Sequence, residues 1–177
     1  MKSRTRNNMK NRKPFFWLLI PMLASLSACG IYSFSGTSIK PDVKTCEVEY
    51  FVNKAMQVNP ALANELTEAL IDKYQKLTTL DIVNDNGDLT VYGEITNYDL
   101  RPMAVTADEV ASQTRLTISL KLYYTNRLHP EEDFEKSFSA YQDFDSSQAF
   151  DAVESTLVSD IIEILVEDIF NATVANW

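Results

Sequence analysis

The sequence predicts an α+β fold: two amphipathic helices packed on one face of a mostly antiparallel sheet of about four strands. Three observations carry this. Residues 89–100 and 115–126 alternate apolar and polar side chains over most of their length. Residues 60–77 and 150–172 repeat apolar side chains at spacings of three and four. The order along the chain is strand, helix, three strands, helix, so the helices can share one side of the sheet.

The elements follow in order. In TCEVEYFVN (45–53), Cys46, Val48, Tyr50 and Val52 alternate with Glu47 and Glu49, the period of a half-buried strand. Asn59-Pro60 opens a helix, with Asn as the cap and Pro at the first helical position. Leu62, Leu66, Ala69, Leu70, Tyr74 and Leu77 then fall on one face of about 18 residues. LDIV (80–83) adds a short strand segment before Asn84-Asp85-Asn86-Gly87-Asp88, a turn cluster. LTVYGEITNYDL (89–100) and RLTISLKLYYTN (115–126) are the two long strands, joined by a loop that contains Pro102. RLHPEED (127–133) leads to a further strand, FEKSFSAYQDF (134–144). Ser146 or Ser147 caps the last helix, whose stripe is Phe150, Val153, Leu157, Ile161, Leu165, Ile169 and Ala172.

Helices on one face leave the other to Thr90, Tyr92, Thr96, Tyr98, Thr117, Tyr123, Thr125 and Tyr141. Solvated sheet faces are common, and β-propensity alone enriches Thr and Tyr. Tyrosine also supplies contact area at low entropic cost. Tyr92, Tyr98, Tyr123 and Tyr141 are therefore the candidate partner-binding residues.

The N-terminus reads as an address. Residues 1–13 carry six basic side chains and no acidic one, an apolar run follows, and LSACG closes it at 26–30. The run is shorter than the ~20 residues a spanning helix needs. A secretory signal peptide over 1–28 fits. Leu26-Ser27-Ala28-Cys29 resembles the lipobox of bacterial lipoproteins, in which the Cys thiol is acylated and becomes the first residue after cleavage. Cys29 is then the lipid attachment site and the link to the membrane. Gly30 stands where many inner-membrane lipoproteins carry Asp, which by the same resemblance favours the outer membrane. Residues 29–43 form a lipid-anchored tether rich in Gly and Ser, and 44–177 a single α+β domain.

Processing at Cys29 removes 28 of 177 residues and leaves 149, enough for one domain with a real core. It leaves ten basic residues against 25 acidic ones, a net charge of −15. Such a surface repels phosphate backbones, so nucleic acid is not an expected partner. Cys46 has no second free cysteine to pair with and reads as a small core residue.

Motifs for chemistry are missing. The chain has one histidine, His129, in a charged loop, and no cysteine cluster, so no zinc site is expected. No G-x-S-x-G, G-x-x-x-x-G-K or G-x-G-x-x-G occurs. A calcium loop at 84–88 would need ligands from Ile82 and Gly93, which have none. Asp151 and Glu154 begin a helix, where acidic groups suit the dipole. Asn171-Ala172-Thr173 matches a glycosylation pattern that a bacterial lipoprotein does not call for. The expectation is no enzyme, no metal and no cofactor.

GIYSFSGTSI, GDLTVYGEITNYDLRPMAVTA, RLTISLKLYYTN, FEKSFSAYQDF and LVEDIFNATVANW, in this order, resemble the LptE family of lipopolysaccharide-assembly lipoproteins in its Bacteroidetes form. The resemblance implies two helices on a four-stranded sheet and no catalysis. It implies an outer-membrane lipoprotein whose body faces the periplasm and fills the lumen of an LptD-like β-barrel. There it would plug the barrel, help it assemble and assist lipopolysaccharide to the outer leaflet. In relatives, contact with lipopolysaccharide is attributed to basic residues; Arg101, Arg115, Lys121 and Arg127 are the only basic residues of the two long strands and their flanks, and none carries over. Two rival readings remain: a lipid-anchored periplasmic protein binding a small ligand or lipid between sheet and helices, and a lipid-anchored hydrolase dependent on His129.

Overall fold

The structure, a computed structural model, describes residues 39–57, 59–103 and 112–174. The signal-peptide reading and Cys29 lie outside the described residues, as does most of the loop after Pro102.

Among the described residues, six strands and two α-helices follow in the order β1 (Thr45–Val48), β2 (Val52–Asn53), α1 (Leu62–Leu77), β3 (Asp81–Val83), β4 (Leu89–Pro102), β5 (Gln113–Asn126), β6 (Phe134–Asp145) and α2 (Phe150–Thr173). The sheet order is β3-β1-β4-β5-β6, and β2 follows β1 in the same lane beside β4. Both helices pack on one face, as the sequence predicts. The sheet has six strands rather than about four, and it is mixed rather than mostly antiparallel. β4, β5 and β6 are antiparallel, whereas β1 runs parallel to β3 and β4, and β2 parallel to β4.

The parallel half has a physical cause. Helix α1 carries the chain from β2 back to the start of the sheet, so β3 enters beside β1 in the same direction. The cluster at 84–88 does not then reverse the chain. Cys46 is in register with Ile82 on one side and Leu89 on the other, so the chain hops across β1 and continues as β4. The crossing is tight. A Cβ on Gly87 would sit 2.7 Å from the Glu47 backbone nitrogen, and Asn86 adopts φ 55°, which Asn tolerates. Asp88 pins the hop: its carboxylate accepts the backbone N–H groups of Lys44 (2.9 Å) and Thr45 (3.1 Å) and the Arg127 guanidinium (2.6 Å).

Two phase changes alter which side chains face the core. Between β1 and β2 the alternation slips, so Phe51 is fully buried while Tyr50 and Val52 are 57% and 50% exposed. Phe51 enters because Gly93 leaves room beneath its ring; a Cβ there would lie 2.6 Å from Phe51 Cε1 and 2.5 Å from the Lys121 carbonyl oxygen. In β4 the register to β5 shifts between Ile95 and Asn97, a bulge at Thr96. Beyond it the faces exchange, and Tyr98 turns to the helix side, 6% exposed.

The helices show the expected stripes with different ends. The cap position of α1 is Ala61 rather than Asn59, and Pro60 precedes the helix instead of opening it; Asn59 Oδ1 still accepts the N–H groups of Ala61 and Leu62 just ahead of the first turn. Helix α1 spans 16 residues, and Leu77 is exposed rather than packed. Neither Ser146 nor Ser147 caps α2. The cap position is Ala149, and Ser146 Oγ instead bonds Thr114 Oγ1 at 2.7 Å, tying the end of β6 to β5. The buried side of α2 is two residues wide, with Leu157-Val158, Ile161-Ile162, Leu165-Val166 and Ile169-Phe170 all inward. Tyr74 crosses between the helices, fully buried, with its hydroxyl 2.6 Å from Thr173 Oγ1.

Two outcomes test this account. Gly93→Ala forces a methyl against the Lys121 carbonyl and should cost about 3 kcal/mol, read from urea unfolding; Phe51→Leu should recover only part of it, since the backbone contact stays. Asp88 is held below its ordinary value of 3.8, foremost by the Lys44 N–H; burial opposes this as the next-largest cause, and Thr45 and then Arg127 add to the lowering. A depressed carboxyl contributes stability that is complete above its unfolded value and lost as pH falls through the folded one. Asp88→Asn should therefore lower stability at pH 7 and flatten its decline below about pH 4.

Candidate functional site

The uncovered face of β4, β5 and β6 is the candidate site. Its residues stand in rows set by the strand register. Tyr92 lies opposite Tyr123 and Tyr123 opposite Glu135; Glu94 opposite Lys121 and Lys121 opposite Ser137; Asn97 opposite Ser119 and Ser119 opposite Ser139. Nearer the β4–β5 tip, Arg101 is opposite Arg115, and Arg115 opposite Asp143.

The predicted tyrosines divide. The Tyr92 and Tyr123 rings stack with centroids 5.0 Å apart and 12° between planes. Tyr141 is on the same face, 52% exposed, with the Arg115 guanidinium carbon 3.6 Å from its ring centroid. Tyr98 is not on this face. The Thr96 bulge sends it to the helix side, where its hydroxyl donates to Glu154 Oε1 at 2.5 Å and Asn59 Nδ2 donates to the same oxygen at 2.9 Å. Burial, then the Glu154 carboxylate, raises the Tyr98 phenol above its ordinary value. Tyr98 thus ties β4 to α2, and Asn59 on the same oxygen ties the start of α1 to them. Glu154, weighed as a helix-start carboxylate, is the acceptor of that lock.

The charges of the face are neutralised in place. Arg115 grips Asp143 through two bonds, 2.7 and 2.8 Å. This pairing holds the Asp143 carboxyl below its usual range and raises the guanidinium. Lys121 pairs with Glu135 at 2.6 Å and reaches over Tyr123; Lys54 pairs with Glu94 at 2.6 Å; Arg101 pairs with Asp99. Hydroxyls fill the centre, where Ser119 and Ser139 bond at 2.9 Å. The face can offer aromatic edges, hydroxyls and ion pairs, but no unpaired block of one sign.

The sequence missed Tyr50 and Val52 as surface groups, because the slip before β2 is set by Phe51 and Gly93, far apart in the chain. It also missed that Arg115 and Lys121 are paired, although their alternate spacing with Thr117, Ser119 and Tyr123 places all five on one face.

Other candidates resolve differently. His129 Nε2 lies 2.8 Å from Asp42 Oδ2, and Lys40 bridges Glu131 and Glu132 at 3.2 and 2.7 Å. These contacts fasten residues 39–43, the end of the expected tether, to the β5–β6 connection, with Val43 buried. Above the fastening lies a cavity of about 370 Å³ lined by Ile39, Val43, Leu89, Tyr124 and Phe134, with Asn126 and Thr173 on its wall. Asn126 and Thr173 are both bonded within the protein. Cys46 is buried and its thiol is pushed up to about 12, mainly by burial, so it is not a nucleophile at neutral pH. Among the described residues no group of His, Cys, Asp and Glu could hold a metal ion. Asn171 is exposed on α2 and donates to Glu167.

The comparisons add to this geometry. A search of curated proteins finds no match. Solved structures are similar at low identity. A hypothetical protein, CT253, from Chlamydia trachomatis is similar at TM-score 0.52 and 9% identity, over 73% of this chain and 97% of that one. A minor lipoprotein from Acinetobacter baumannii gives TM-score 0.47 and 16% identity, over 72% and 89%. The rare lipoprotein B from Shewanella oneidensis gives 0.47 and 9%, over 71% and 89%. The lipopolysaccharide-assembly family LptE matches residues 43–173, from the fastened Val43 through all six strands to the end of α2. The chain therefore belongs to the LptE family.

Proposed function

We propose that this chain is a non-enzymatic outer-membrane lipoprotein, anchored through Cys29, that plugs an LptD-like β-barrel and assists its assembly in lipopolysaccharide transport. The family supplies the assembly role. The observation that favours the plug is the two-sided sheet: one face sealed by helices, the other polar and aromatic with its charges already paired. A wide barrel has a polar lumen and a wall of alternating side chains. Apart from Val52 at its β2 side, the face carries no bare aliphatics and no excess of one charge, so it can lie against such a wall at little desolvation cost. Tyr92, Tyr123 and Tyr141 supply contact area there. Tyr98 is withdrawn from the contact set and acts inside the fold.

The lipid on Cys29 raises the local concentration of the plug at the periplasmic leaflet. Residues 39–43, the end of the expected tether, are fastened to the β5–β6 connection.

Two experiments test the reading. Tyr92→Asp with Tyr123→Asp breaks the stack and adds two carboxylates to the face. The tagged variant should retain its circular dichroism spectrum and lose most of the barrel that wild type retains from detergent-solubilised outer membranes; an undiminished complex removes the face from the contact. Cys29→Ser should move the chain from the membrane fraction to the soluble periplasm, and persistence in the membrane fraction would count against lipid anchoring.

A further inference from the structure

Strand β6 forms one long margin of the sheet. Its partner is β5, through twelve consecutive pairs from Gln113–Asp145 to Tyr124–Phe134 with no shift of register. Among the described residues no strand pairs with its outer margin. Proteins blunt such margins with short strands, prolines, bulges or inward charges. β3, at the opposite margin, is three residues long. β6 is twelve residues, with no proline and no bulge. Its one inward charge, Lys136, lies along the strand with Nζ 5.0 Å from the Phe138 ring centroid. Beside the margin runs a groove of about 520 Å³, walled by Lys136, Ser137, Phe138 and Ser139 of β6 and by Asp168 and Asn171 of α2.

We infer that β6 is a docking strand, and that its occupant is an extended segment of another polypeptide carrying Lys or Arg at alternate positions. A strand beside a helix-walled groove is the geometry of strand addition: backbone bonds give affinity, and alternate side chains fall in the groove. The charge selects the occupant. Helix α2 carries no basic residue; of its six carboxylates Glu154 is taken by Tyr98 and Asn59 and Glu167 by Lys73, which leaves Asp151, Asp160, Glu163 and Asp168, the last in the groove wall. On β6, Glu135 and Asp143 are already paired with Lys121 and Arg115, which leaves Asp145 and Lys136, so the negative charge beside the margin comes from α2. A second copy fits poorly. Two-fold pairing keeps helix side with helix side, so the central registers, about Ser139 or Ala140, set Glu135 opposite Asp143 or Asp145 of the other copy. Like charges opposed across a ladder are destabilising. The inference does not depend on the plug.

The test uses hydrogen exchange on the full-length chain in detergent. The probe is a blocked Thr-Lys repeat peptide of about ten residues, long enough to span most of β6. The control has the same sequence with alternate residues N-methylated, which keeps the charge and removes the backbone donors. The unmodified peptide should slow exchange across Phe134–Asp145, and the control should not. Asp168→Lys, an exposed helix position, should weaken the effect about fivefold. Equal protection by both peptides means charge alone and overturns the inference. So does no protection of β6 by either, or binding unchanged by Asp168→Lys. Protection of β6 that rises with protein concentration without peptide points to a second copy and overturns the stated occupant.

Discussion

Among the described residues, helices cover only one side of this sheet, and that one-sided burial decides what every strand residue can do. Strand side chains alternate, so each residue is either core or surface, and a one-residue slip exchanges the two. The slip before β2 sends Phe51 inward and Tyr50 and Val52 outward. The Thr96 bulge sends Tyr98 inward, away from Tyr92 and Tyr123. Both slips add packing. Phe51 fills the space over Gly93, and Tyr98 reaches Glu154 and, through it, Asn59. The open face is what remains after the core has taken the residues it can use.

The long elements were legible because their signals are local. Period two across 115–126 needs no knowledge of neighbours, and β5 alternates as read from Leu116 to Tyr124. The stripes of α1 and α2 are equally local. What could not be read is the phase of β1–β2 and the second half of β4. Each depends on a partner distant in sequence: Gly93 for Phe51, Ser119 for the Thr96 bulge. The parallel half was hidden for a related reason. Asn84 to Asp88 has the composition of a reversing turn, and only pairing on both sides of β1 shows that the chain hops instead. Of the four tyrosines, Tyr92, Tyr123 and Tyr141 kept the expected face because no slip intervenes between them and the residues that set their phase. The same logic explains Ser146, a good cap by type, whose hydroxyl is taken by Thr114 across the sheet.

The acidic surplus is not spread evenly. Strands β4 and β5 carry Glu94, Asp99, Arg101, Arg115 and Lys121, which nearly cancel, while α2 carries six carboxylates and no basic residue. The open face is therefore close to neutral and the helical side strongly negative. In the proposed complex this polarity has a direction. A neutral face loses little on contact with a wall, since its ion pairs travel with it, whereas isolated carboxylates would have to shed water. The carboxylates of α2 favour the solvated side of the lumen or a basic partner. The same asymmetry bears on lipopolysaccharide. Its phosphates are anionic, and every basic residue on the open face already has a carboxylate partner. For this chain to grip a phosphate there, a cation such as Arg115 would have to bond the anion with its remaining donors while Asp143 stays alongside, so a carboxylate would stand beside the incoming anion. The charge arrangement thus favours a chain that shapes and fills the barrel over one that holds the lipid by its charge.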